Sequence, residues 1–229
     1  MPAPLRLAAA AWAIAWVVGG LVLGGVALTA MGADFDSLTI VQIAVAAALS
    51  WAVFVVALYV VSDRVGTRNL LADYRVSVRP ADLLAVPAGV IGQLALIPAL
   101  YWPLQQFWPD TFSNEQLEER AVDLAERATG DRAVLLVIVV VIGAPLFEEL
   151  VYRGLLQRSL VGALGRSAGL LVAAAWFSLI HLAPIEFPGL FVAGLLFGAA
   201  LLYTDRLGPA ILTHAAFNAT GLVMAYQAA

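Results

Sequence analysis

The run Val134–Gln157, VLLVIVVVIGAPLFEELVYRGLLQ, decides how this chain is read. It is long enough to cross a bilayer, since about 20 apolar residues suffice. Yet it carries Glu148, Glu149 and Arg153 inside it. Ionisable groups in hydrocarbon are expensive, and those that persist face a bundle interior or a wet cavity. Two other apolar stretches share this property. His181 ends the segment Trp176-Phe177-Ser178-Leu179-Ile180-His181, and the only other histidine, His214, is followed four residues later by Asn218. Three polar islands on three helices point to one shared site inside an all-α membrane helix bundle.

Composition points the same way. Of 229 residues, 62% are hydrophobic and only 12% are charged, against about a quarter charged in a soluble domain. The mean hydropathy is +0.93, so lipid is the expected solvent for most of the surface. There is no cysteine, which removes disulfides, thiolate metal sites and cysteine nucleophiles. The net charge of −4 offers no basic patch, so nucleic acid is not expected as a partner. Every basic residue is arginine and alanine is abundant, a usage that reads as a GC-rich bacterial source.

Apolar runs lie at 7–31, 38–62, 83–104, 134–157, 168–186, 188–204 and 208–227. They predict about seven transmembrane helices. The first run is too long for the apolar core of a signal peptide, so it is read as an uncleaved helix. Arg64, Arg68, Arg75, Arg79, Arg158, Arg166 and Arg206 fall on one side of an alternating seven-helix chain. By the positive-inside rule that side is cytoplasmic, which puts the N-terminus inside a bacterial cytoplasmic membrane and the C-terminus outside. Residues 113–129 predict one amphipathic surface helix. Leu117, Ala121, Leu124, Ala125 and Ala128 share a face, Ser113 and Gln116 resemble a capping box, and Gly130 suits the stop. It joins two spans or lies as a lid over a site. Gly20 with Gly24, Gly165 with Gly169 and Gly194 with Gly198 have the spacing of close helix contacts.

The chain reads as a single membrane domain, 1–229. Residues 1–112 supply packing helices, and 130–227 hold every polar island. Glu149 and Arg153 are four apart and can pair along the helix, while Glu148 and Tyr152 form the neighbouring row. One carboxylate is thus held and the other left free to face the bundle centre. Among apolar helices a carboxylate holds a proton more readily than in water, which suits a general base near neutrality. Phe177, one turn before His181, is expected to wall one side of a pocket, with irregular backbone at Pro184 and Pro188 nearby. His214 and Asn218 share a face. They read as interhelical glue, as two donors for an oxyanion, or, for His214 with His181 and Glu148, as a metal site with an open position.

In this order the islands resemble the CPBP family of intramembrane peptidases, which includes CAAX prenyl proteases and bacteriocin-processing enzymes. Its pattern EExxxR, FxxxH and HxxxN is met by Glu148-Glu149…Arg153, Phe177…His181 and His214…Asn218. The resemblance implies an endopeptidase acting on a membrane-associated peptide or protein. Glu148 would activate water, and Glu149 and Arg153 would support it. His181 would position the water, and His214 and Asn218 would hold the oxyanion. No cofactor is then obligatory, and zinc at Glu148, His181 and His214 is the alternative; without HExxH a standard zincin helix is excluded. The rivals are a non-catalytic immunity or scaffold protein of the same fold, and a proton-coupled transporter using Glu and His as a relay. The cavity is expected among the fourth, fifth and seventh runs.

Overall fold

A computed structural model describes residues 2–229, and among them there are helices and no strands. In chain order the helices are α1 (Leu5–Ala30), α2 (Ile40–Val65), α3 (Pro80–Phe107), α4 (Asn114–Arg127), α5 (Asp131–Leu164), α6 (Arg166–Leu179), α7 (Pro184–Thr204) and α8 (Leu207–Ala228). Five of them, α1, α2, α3, α5 and α7, are long and apolar enough to cross a membrane. Their outer faces carry exposed aliphatic side chains such as Ile14, Val26 and Val56, which is how a lipid-facing surface looks.

Two of the seven expected spans fall short of that length and apolarity. The run 168–186 is helical only to Leu179, and the chain then turns through a positive φ at Leu182. With 14 residues, α6 rises about 21 Å, short of the roughly 30 Å hydrocarbon core. The last helix has the length, but His214, Asn218 and its threonines dilute its apolar character. By contrast α5 has 34 residues, about 51 Å of helix, and must tilt or protrude.

Wide π-helical turns interrupt the spans at Trp16–Gly24, Gly92–Leu96, Ile138–Gly143 and Glu149–Gln157. Such turns leave carbonyls without the usual partner and often mark functional places. One has a traceable consequence. The Ala144 N–H bonds Val139 O, five residues back. The next donor in that register would reach Val140 O, but residue 145 is proline and has no N–H. Asn218 on α8 fills the vacancy, with Nδ2 donating to Val140 O at 2.9 Å. We expect Asn218→Ala to destabilise the protein by about 1–3 kcal/mol, the cost of an orphaned buried acceptor. In a Pro145→Ala background, where the backbone N–H returns, the same change should cost clearly less; thermal unfolding in detergent of both single variants and the double variant checks this.

The glycine pairs divide by function. Gly194 sits against the Ala174 backbone, and Gly198 leaves room for Gln157. Arg153 and Gln157, four apart on α5, donate to Gly194 O at 3.3 Å and Gly198 O at 2.9 Å, four apart on α7. Gly165 is instead a turn residue at φ +83°, and Gly169 packs on Val161. In α1 the close approach falls on Gly19, against Ser50 and Val53 of α2, while a side chain at Gly20 would meet nothing.

The arginine-rich segments do gather at one end. Asp205 pairs with Arg75 and Arg158, and Arg206 pairs with Asp82 at 2.6 Å. The opposite end ties Arg120 to Glu186 at 2.8 Å and Tyr226 to Ala128 O at 2.9 Å. There α4 begins at the Ser113 cap, which accepts from the Gln116 N–H. Leu124 and Ala125 turn inward, whereas Ala121 is exposed.

Candidate active site

Glu149 and Arg153 form the expected pair, and both are fully buried. Glu149 Oε1 lies 3.0 Å from an Arg153 nitrogen, with side-chain exposures of 0% and 1%. Two unit charges so enclosed need further partners. Arg153 has Phe177 beneath its guanidinium at 4.2 Å from the ring centre, Phe197 at 5.3 Å, and Gly194 O as acceptor. Glu149 Oε1 also meets His214 Nδ1 at 2.8 Å. The His214 ring stacks on Phe197, with centroids 4.3 Å apart. The result is a dry Arg153–Glu149–His214 relay joining α5 to α8.

Because a carboxylate only accepts, His214 Nδ1 carries the proton. Its Nε2 then faces Glu148 Oε2 at 4.0 Å. Glu148 is the free carboxylate. It is 26% exposed and opens on a cavity of about 200 Å³ lined by Trp16, Ser50, Trp51, Phe54, Phe147, Glu148, Val151, Tyr152, Ile180 and His181. His181 enters from the end of α6, where its Nδ1 donates to Phe177 O at 2.6 Å. The carbonyl likewise fixes the tautomer and leaves Nε2 as an acceptor. The early end of α6 is what brings His181 to the cavity.

Several expectations change here. The cavity lies among α1, α2, α5 and the end of α6, and His214 of α8 stands behind Glu148, its Nε2 4.0 Å from Glu148 Oε2. Phe177 does not wall it. It is 1% exposed and forms a post under Arg153, edge-on to Tyr152, His181 and His214. Tyr152 does line the cavity. His214 and Asn218 do not aim at one point: the first is held by Glu149 and the second by Val140 O. Among the described residues no three His, Cys, Asp or Glu side chains gather as a metal site.

Trp16, Ser50, Trp51 and Phe54 line the cavity from within residues 1–112, where the sequence predicts packing helices alone. Tryptophan in a membrane protein is enriched at the two interfaces, whereas Trp16 and Trp51 stand in the middle of their spans.

Fold and site together define a helical membrane protein with a buried ionic relay behind one free carboxylate in a small cavity. Residues 130–220 match the family model of Rce1-like type II CAAX prenyl endopeptidases. The match contains Glu148, Glu149, Arg153, Phe177, His181, His214 and Asn218, and the family is one of proteases. No curated protein and no solved structure gives a significant match.

Proposed function

We propose that the protein is an intramembrane endopeptidase in which Glu148 activates water against a peptide bond. The observation that carries this reading is the division between the two carboxylates. Glu149 is sealed with Arg153 and His214, and Glu148 faces the cavity with His181. In the proposed step, water held by His181 Nε2 gives a proton to Glu148 as its oxygen attacks the carbonyl carbon. The tetrahedral oxyanion is then held by an Nε2–H of His214, whose extra proton is drawn from solvent before the attack and stays on the ring through the cycle. The C–N bond breaks as Glu148 returns the proton to the leaving amine. Asn218 contributes by holding α8 in register.

The substrate class is a peptide or protein segment lying in or on the bilayer. The enzyme would sit in a bacterial cytoplasmic membrane with its arginine-rich end inside. The test uses protein reconstituted in vesicles with a library of membrane-anchored peptides, products being read by mass spectrometry. Specific cleavage that survives chelator treatment within about twofold supports a metal-independent reaction; loss of cleavage on chelation, restored by zinc, would contradict it.

A further inference from the structure

Trp51 is held more firmly than a lipid-facing tryptophan needs to be. Its ring stacks on Phe147 with centroids 4.7 Å apart and planes 15° from parallel. Its far edge fills the notch left by Gly143, where an added Cβ would overlap the ring. Gly143 and Phe147 are four apart on α5, and Glu148 follows directly. One indole therefore bridges successive turns of α5 and lines the same cavity as the free carboxylate. Ser50, next to it in sequence, is pinned by Gly19 of α1, so the wall behind the indole is fixed as well.

Trp16, Trp51, Phe54 and Phe147 give the cavity an aromatic lining beside Ser50, Glu148 and His181. At about 200 Å³ it is smaller than the roughly 300–1,000 Å³ pockets that enclose whole small-molecule ligands. It has room for one substrate side chain beside the attacked bond. A rigid aromatic face of this kind selects by size.

Resting on the peptidase reading above, we infer that Trp51 is the specificity-determining residue, seating one small or medium apolar side chain of the substrate next to the scissile peptide bond. The ring wedged between Gly143 and Phe147 sets the depth of that seat. Shortening it should admit larger residues, and displacing it should shrink the seat further.

The experiment compares wild type, Trp51→Ala, Trp51→Phe and Gly143→Ala, reconstituted with the same randomised membrane-anchored peptide library. Mass spectrometry reports which residues flank the cleaved bonds. For Trp51→Ala the ratio of cleavage beside Phe or Trp to cleavage beside Ala or Val should rise at least about tenfold, the discrimination typical of a changed apolar pocket. Trp51→Phe should fall between the two, and Gly143→Ala should shift the profile toward smaller residues. An unchanged profile in active Trp51→Ala and Trp51→Phe overturns the inference and leaves the peptidase reading standing. If Trp51→Ala does not fold, the profiles of Trp51→Phe and Gly143→Ala decide in the same way. Absence of any cleavage by folded wild type overturns the peptidase reading, and this inference with it.

Discussion

Arg153→Ala is expected to be the most damaging single change to the fold. It leaves Glu149 at 0% exposure with only His214 beside it, and it takes away the cation above Phe177 and the donor to Gly194 O. Breaking a buried ion pair by removing one partner costs about 3–5 kcal/mol. The same deletion from this relay should lower thermal stability in detergent sharply and reduce the yield of monodisperse protein. Replacing both charges at once, as Glu149→Leu with Arg153→Met, should cost clearly less than either single change, because no lone charge is then buried. A double replacement as damaging as the sum of the singles would show that the residues do not act as a pair.

Glu148→Gln should have the opposite profile: little change in stability and a loss of hydrolysis of about 10²–10⁴-fold, the usual contribution of a positioned general base. The amide has the size of the carboxylate and sits at a partly open position, so packing barely notices it. What it cannot do is take a proton from water. Glu149→Gln separates the two carboxylates. It should weaken the fold through Arg153 and loosen the placement of His214, which Glu149 holds at 2.8 Å, so its losses in activity and in stability should appear together.

The sequence made one part of the site readable and hid another. Glu149 with Arg153 follows from spacing along a single helix, and it survives even though the Glu149–Gln157 turns are wide. The freedom of Glu148 follows from the same argument. The partner of His214 could not be read this way, because it depends on which face of α8 meets α5. Asn218 was hidden for a related reason: its partner is a backbone carbonyl freed by a π turn and Pro145, and neither effect has a side-chain signature. Hydropathy placed the spans but overran α6, since Ile180, Leu182 and Ala183 continue the apolar run after the helix has ended. That overrun concealed the gap from which His181 reaches the cavity.

The most direct test of the account is cleavage of membrane-anchored peptides in vesicles by folded wild type and folded Glu148→Gln at equal density in the bilayer. Run in ¹⁸O-labelled water, wild type should release fragments whose new carboxyl end carries the label, and Glu148→Gln should release almost none. Labelled product from Glu148→Gln at the wild-type rate would contradict the central claim that this carboxylate activates the water.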